Sequence, residues 1–244
     1  SAGCLIGRMQ YSMRHPDEKN PRHSQLSADA LGAILYVFAA CEYRDDDFLS
    51  LSERWLLGGQ KNSRVLCEIR QEVTLVHLLH SFAVLQAARN TLLNEMVSAI
   101  ETRLPTWGAF EILGLLDAAA LLQWQAANER YLLEQEQNDE EDEEKKALEG
   151  GRGRGSRKQE QPDAAATATT TAKQDSIGIP TFGVSSKCLQ LALDRLEDIF
   201  KAGDLDVAEA ELATQLLRSL DMPPEVQPKV QQFLMAAETA LARR

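Results

Sequence analysis

The sequence predicts an all-α protein: a short α-solenoid of about three helical hairpins, followed by a low-complexity linker and a small C-terminal helical bundle. Three observations lead to this prediction. Aromatic residues make up only 6% of the 244 residues while Leu and Ala are abundant, which favours helix packing over a β-sandwich. One apolar pattern with helical spacing occurs three times between residues 26 and 133. Helical periodicity returns in residues 185–244, after a stretch that has none.

The chain opens with a segment, residues 1–25, that has neither helical nor strand periodicity. It holds two prolines, two histidines and four cations, which are Arg8, Arg14, Lys19 and Arg22. We expect an extended, mildly basic N-terminal arm. Because the sequence begins with Ser rather than Met, the removal of a targeting segment stays an open question.

The repeated unit begins with LSADALGAILYVFAACEYRDDDFLSL, residues 26–51. A shift of 44 residues aligns it with residues 71–96, and a further shift of 34 reaches residues 105–130. Apolar residues at i, i+3, i+4 and i+7 coincide, and this spacing marks one face of a helix. They are Leu31, Ile34, Leu35 and Phe38; then Leu75, Leu78, Leu79 and Phe82; then Ala109, Ile112, Leu113 and Leu116.

Each hairpin has an apolar face that it cannot bury alone, so we expect the units to stack over residues 26–133. Of the apolar residues, we expect Leu35, Phe38, Leu79, Phe82 and Leu116 to be buried. The expected helices lie near 27–42, 47–58, 71–87, 90–103, 106–121 and 124–134.

Three consecutive aspartates, Asp45 to Asp47, separate the first two predicted helices. Carboxylates at a helix start accept hydrogen bonds from unpaired N–H groups and meet the positive end of the helix dipole. The second unit has Arg89, Asn90 and Thr91 at these positions, and an arginine cannot bind a cation. We therefore interpret the aspartates as a capping turn rather than a metal site, and Ser27 as the N-cap of the first helix.

Residues 134–184 are of low complexity and predict a disordered linker. An acidic run, EQEQNDEEDEEKK, is followed by GGRGRGSRK and then by AAATATTTA. Such segments cannot bury enough apolar area to offset chain entropy. Residues 185–244 show three amphipathic patterns, near 185–201, 205–220 and 225–242. We expect these to form a small bundle that docks on the solenoid or on a partner.

The formal net charge of −11 lies largely in the linker. Residues 134–149 hold nine carboxylates and two cations, whereas residues 1–133 hold 15 carboxylates and 12 cations. A mildly acidic repeat surface argues against strong non-specific nucleic-acid binding. Any RNA contact is therefore expected on the basic flexible segments. The candidate RNA-binding residues are Arg8, Arg14, Lys19, Arg22, Arg152, Arg154, Arg157 and Lys158.

The sequence contains no identifiable catalytic or cofactor-binding pattern. His77 and His80 stand i, i+3 on a predicted helix but lack the acidic residue of an HExxH arrangement, so we predict a packing or surface role. The sequence around Gly58 and Gly59 has no phosphate-binding loop motif, so we interpret these glycines as a helix C-cap. We expect no metal, no cofactor and no enzymatic activity. An enzyme whose site is assembled from distant residues is the third possibility.

The four cysteines fit no zinc-binding pattern. Cys41 and Cys188 fall within apolar helical stretches, where a reduced thiol packs as a small hydrophobic group, so we expect both to be buried. This usage fits a reducing compartment. No apolar run approaches the ~20 residues that a membrane-spanning helix needs.

The first unit combines features that occur together in one group of repeats. They are Leu26-Ser27, Ile34-Leu35-x-x-Phe38-Ala39, the polar turn Arg44-Asp45-Asp46 and Phe48-Leu49, with Leu78-Leu79-x-x-Phe82-Ala83 in the second unit. In these features residues 26–133 resemble the degenerate helical-hairpin repeats of organellar RNA-metabolism proteins. Those include octotricopeptide-repeat proteins, the Fas-activated serine/threonine kinase-like family and related RAP-domain proteins. The chain has no RAP-like C-terminal α/β segment.

The resemblance implies a mitochondrial or plastid protein that works in RNA processing, translation or ribosome structure. Because about three units are too few for a long RNA footprint, we expect a non-catalytic scaffold of a ribonucleoprotein complex in the mitochondrial matrix. A ribosomal subunit or assembly factor is the most specific form of this expectation. Its partners would be proteins of a large complex and RNA, with ribosomal RNA as the first candidate, contacted through the flexible basic segments; no membrane is expected. The alternative is a protein-only α-solenoid adaptor that has no RNA contact.

Overall fold

A computed structural model describes most of the helical regions of the chain. The described residues are 7, 10–11, 27–58, 65–87, 90–150 and 184–242, with side chains for all except 67–68 and 139–150. They belong to two units, one built from residues 1–123 and 182–244 and the other from residues 124–181.

Every element of secondary structure among the described residues is helical. The α-helices are α1 (Ala28–Ala40), α2 (Asp46–Leu56), α3 (Val65–Glu68), α4 (Glu72–Val84), α5 (Asn90–Glu101), α6 (Ala109–Gly150), α7 (Ser186–Ala202), α8 (Val207–Ser219) and α9 (Gln227–Ala242). A 3-10 helix, Leu104–Thr106, precedes α6. The predicted all-α class is therefore confirmed over the described part of the chain.

The ends of the first two helices follow local sequence signals. Ser27 Oγ accepts a hydrogen bond from the Ala30 N–H at 3.1 Å, and Asp45 Oδ1 accepts one from the Phe48 N–H at 2.9 Å. Both residues have extended backbones just before their helices, so the two predicted N-caps are confirmed. Gly58 follows α2 with a φ of +89°, a left-handed conformation that glycine adopts without the cost a Cβ would add.

The first helices of the first two predicted units pack against each other. The α1–α4 pair has the most extensive contact in the described structure. Leu31 and Leu35 of α1, like Leu75 and Leu79 of α4, are fully buried. Gly32 permits the close approach, since a methyl group there would lie 3.0 Å from Thr74 Cγ2. The apolar stripe of each unit is thus buried against its counterpart.

The predicted core positions are mostly confirmed. Leu35, Leu79, Phe82 and Leu116 are buried, but Phe38 is only partly buried. Phe38 lies near the end of α1, where its ring contacts Tyr43 and Phe48 with centroid distances of 4.9 and 5.3 Å. It packs at an edge of the core and stays partly open to solvent.

The third unit differs from its prediction. Residues 106–121 and 124–134 were expected as two helices, but α6 is one continuous helix from Ala109 to Gly150. The expected turn between them is wrong, because the sequence there offers neither a Gly or Pro nor a capping residue and is rich in strong helix formers. The helix also continues beyond residue 134, where the disordered linker was expected to begin.

The C-terminal helices join the same compact unit as the repeats. Helix α7 packs against α5 and the 3-10 helix, and α9 packs against both α7 and α8. Glu101 of α5 accepts hydrogen bonds from Ser185 Oγ at 2.6 Å and Lys187 Nζ at 2.7 Å. Arg195 Nε donates to the Trp107 carbonyl at 2.9 Å. The expected contact between the C-terminal helices and the repeat region is observed, through α5 and the 3-10 helix.

Candidate functional site

The predicted RNA-binding cations cannot be placed in the fold. All eight lie outside the described residues: Arg8, Arg14, Lys19, Arg22, Arg152, Arg154, Arg157 and Lys158. The structure therefore brings none of them together, and their role stays a prediction from the sequence.

A group of aromatic and ionisable side chains connects α1, α4 and α6 in the repeat body, that is, the helices between residues 28 and 123. Tyr36 of α1 stacks on His77 of α4 with ring centroids 4.3 Å apart. His80, one turn further along α4, places Nε2 3.3 Å from Asp117 Oδ2 of α6. Burial, followed by the charge of neighbouring His80, lowers the pKa of His77 below its ordinary value. A neutral His77 suits stacking against a tyrosine ring, and the packing role predicted for the pair fits this geometry.

The same group does not assemble a metal site among the described residues. No cluster of three or more His, Cys, Asp or Glu side chains able to hold a metal ion occurs within them. His80 Nδ1 is buried without a hydrogen-bond partner, so this imidazole is anchored through Nε2 alone. The chemistry available here is helix-to-helix attachment through a histidine–carboxylate contact.

The two cysteines with described side chains have opposite environments. Cys188 of α7 is fully buried, and this burial raises the pKa of its thiol to about 12. The prediction of a buried, reduced thiol is confirmed there. For Cys41 it is wrong, because α1 ends at Ala40 and places Cys41 on the exposed turn that follows.

A cleft of about 370 Å³ lies between α2, α3 and α5. Its apolar wall is formed by leucines of α2 and α3, and its polar wall by residues at helical spacing on α5. The lining residues are Leu56, Leu57, Leu66, Thr91, Glu95, Ser98, Ala99 and Thr102. Its polar groups are three hydroxyls and one carboxylate.

A group of exposed apolar side chains lies on α6, in the unit that begins at residue 124. Four large apolar side chains are exposed there: Trp124, Tyr131, Leu132 and Leu133 are 61%, 58%, 51% and 42% accessible. The Tyr131 hydroxyl accepts a hydrogen bond from Gln135 Nε2 at 2.8 Å, while its ring faces solvent. Residues 134–146 that follow contain no apolar residue. Clustered exposed apolar side chains mark interaction sites in soluble proteins.

Sequence reasoning missed this group because it assigned residues 124–134 to the second helix of a third hairpin. In a hairpin these side chains would form an inner face. The signal that could have revealed them is the junction itself, where Tyr131-Leu132-Leu133 is followed at once by an acidic run.

Comparisons with protein-family models, with curated proteins and with solved structures found no match. Across the described residues, no helix combines the length and apolar character required to cross a membrane.

Proposed function

We propose that the chain is a non-catalytic helical-repeat scaffold of a mitochondrial ribonucleoprotein complex, acting in ribosome structure or assembly or in RNA processing. The observation that carries the scaffold part is the group of exposed apolar side chains on α6, which fits a surface for another macromolecule. The organellar and RNA part rests on the resemblance of residues 26–133 to repeats of organellar RNA metabolism.

The placement of the perturbed ionisable groups supports a scaffold over an enzyme. Strongly perturbed pKa values in a cleft suggest catalysis. Here the shifted groups lie at junctions between helices: His77 stacks across to α1, and Glu101 holds Ser185 and Lys187 at the start of α7. The shifts of His77 and Glu101 each accompany a contact between two helices.

RNA is proposed to contact the basic low-complexity segments rather than the repeats. Arginine pairs with phosphate through two hydrogen bonds and stacks on bases, and it needs no preformed pocket to do so. Replacing Arg152, Arg154, Arg157 and Lys158 by Gln should weaken RNA binding and reduce its salt dependence, by roughly 0.7 to 0.9 in log–log slope for each phosphate that is no longer neutralised. A filter-binding titration at several salt concentrations measures both. Equal affinities and slopes for the two proteins would show that this segment does not bind RNA.

The matched control keeps the charges in place. Changing the three arginines of that segment, Arg152, Arg154 and Arg157, to Lys should preserve the salt dependence, since a lysine still neutralises a phosphate. The part of the affinity that comes from bidentate arginine–phosphate hydrogen bonds and from stacking on bases should be lost.

The decisive experiment for the whole proposal is sedimentation of native complexes with and without RNase, from cell fractions enriched in mitochondria. A chain that travels with a large particle and leaves it after RNase treatment fits the proposed scaffold. A chain that is recovered outside mitochondria in fractionation with protease protection contradicts the organellar assignment.

The second candidate function is a protein-only adaptor. It is favoured by one observation: the exposed apolar residues of α6 adjoin an acidic run that repels phosphate. An adaptor would stay in its complex after RNase treatment, so the same sedimentation experiment separates the two functions.

A further inference from the structure

Three of the exposed apolar side chains on α6 lie along one side of the helix and form an apolar strip: Trp124, Tyr131 and Leu132. Trp124 and Tyr131 are seven residues apart, close to two helical turns, so they lie on the same side of the helix. Leu132 widens the strip at one end, whereas Leu133, about 180° from Trp124, lies on the opposite side of the helix. The strip spans residues 124–132, about 13 Å at 1.5 Å per residue.

A second feature begins where the strip ends. By sequence, residues 134–144 hold eight carboxylates and no cation. The backbone remains helical through this segment, which therefore extends about 16 Å further along the helix. Glu134 and Glu136, at its start, are exposed. A helix whose charged residues are all carboxylates over several turns is disfavoured by repulsion between like charges, and a cationic partner would relieve it.

We propose that residues 124–144 of α6 form a bipartite docking site for an amphipathic helix of a protein partner. That helix would present apolar side chains along about 13 Å and Lys or Arg along the following 16 Å or so, which requires roughly 20 residues. The proposal rests on the proposed scaffold function and adds the chemistry of the partner. Apolar burial provides affinity, and the carboxylates select a basic sequence and fix its direction.

Charge argues against the other occupants. RNA and anionic lipid both carry phosphate, which the carboxylates repel. A second copy of the chain packed in parallel would set one acidic run against another. The chain's own basic segment, residues 150–161, contains no apolar residue that could cover Trp124.

The test uses the full chain and a synthetic probe. The probe is a helix-forming peptide of about 20 residues, with one half carrying a Leu face and the other carrying Lys. A scrambled peptide of the same composition has no apolar face. Trp124 reports binding, because Trp107 is fully buried and Trp55 is partly buried already. We expect the probe to shift the tryptophan emission to the blue and to protect it from acrylamide. Trp124→Phe should abolish this change.

Two variants separate the halves of the site. Tyr131→Ser together with Leu132→Ser should weaken probe binding about tenfold or more, because less apolar surface is buried. Glu134→Gln together with Glu136→Gln should weaken it less and reduce its salt dependence. The matched control is Met235→Ser, which removes an equally exposed apolar side chain from α9, 62% accessible, and should change nothing. All these positions are exposed, and unchanged circular dichroism would verify that the variants are folded.

Four outcomes would overturn the proposal. Equal binding of the probe and the scrambled peptide would leave only non-specific charge attraction. If Met235→Ser weakened probe binding as much as the strip variants do, the probe would not be binding specifically at the strip. Sedimentation of the chain as a dimer, with Trp124 protected before the probe is added, would make a second copy the occupant. If the probe fails to bind but the chain still leaves its particle on RNase treatment, the docking site is wrong and the scaffold function stands. If the probe binds but the chain stays in its particle after RNase treatment, the ribonucleoprotein function is wrong and the docking site stands.

Discussion

Gly114 of α6 lies where a Val76 side chain of α4 leaves no room for a methyl group. A methyl group at this position of α6 would lie 2.5 Å from Val76 Cγ1 of α4, whereas carbon atoms in contact prefer about 3.5 to 4.0 Å. Val76 is buried and β-branched, so its side chain has little freedom to rotate away. Overpacking of this kind costs about 1–3 kcal/mol, and the gain in helix propensity from Gly to Ala offsets up to ~1 kcal/mol. Gly114→Ala should therefore lower the free energy of unfolding by about 1–2 kcal/mol.

A double-mutant cycle with Val76→Ala tests this reasoning by urea denaturation. Val76→Ala alone removes two buried methyl groups and should cost roughly 2 kcal/mol. The double variant should be more stable than the sum of the single changes by about 1–2 kcal/mol, because the new methyl group occupies the vacated space. Gly32→Ala, whose methyl group would meet Thr74 Cγ2 at 3.0 Å, should be milder than Gly114→Ala. Additive free energies, or a net stabilisation by Gly114→Ala, would show that α6 does not pack on α4 in this way.

Three further predictions concern the same body. Phe82→Ala should cost roughly 3–5 kcal/mol in denaturant titration, because the ring is buried; a loss under about 1 kcal/mol would contradict the core assignment. Changing Asp45, Asp46 and Asp47 together to Asn should cost ~1 kcal/mol or less, since Asn also caps, and calorimetric detection of a divalent cation at these residues would refute the capping role. Burial alone would raise the pKa of Glu101, but hydrogen bonds from Lys187 and Ser185 and the Lys187 charge outweigh it and lower this pKa. The Glu101 contribution should therefore be present above the pKa of the unfolded state, about 4.3, and be lost as pH falls through the lower folded-state pKa; Glu101→Gln should remove that pH dependence of unfolding.

Local apolar spacing predicted the first two units well, and it did so through short-range physics. The helices beginning at Ala28 and Asp46 start where a capping side chain was expected. The spacing predicts which face of a helix packs against the core, but it does not predict the extent to which each side chain on that face is buried. Phe38 and Phe82 occupy equivalent repeat positions, yet only Phe82 is fully buried. Depth depends on which helices pack over each position, and that is a property of the assembled fold.

The candidate site was less predictable, for two physical reasons. The cations expected to contact RNA lie outside the described residues. Their role therefore rests on the sequence alone. The apolar strip on α6 was hidden by extending the hairpin pattern to a third unit. Between Leu121 and Trp124 the sequence has no residue that caps or breaks a helix, unlike Asp45 in the first unit. A repeat pattern in apolar residues does not imply a turn where the turn chemistry is missing.

That missing turn changes what the strip can do. If residues 124–134 had folded back as a second helix, Leu132 and Leu133 would have been available to an internal core. In the continuous helix they remain 51% and 42% accessible, so about half the burial energy of each leucine is still to be gained, roughly 1 kcal/mol per side chain. A partner helix packed along the strip would gain that energy from Leu132, together with the larger contribution of Trp124 and Tyr131, while Leu133 stays on the opposite side of the helix. The carboxylates that begin at Glu134 keep the free strip in contact with water and repel a second acidic chain. The partner proposed for this strip is therefore apolar in one half and basic in the other.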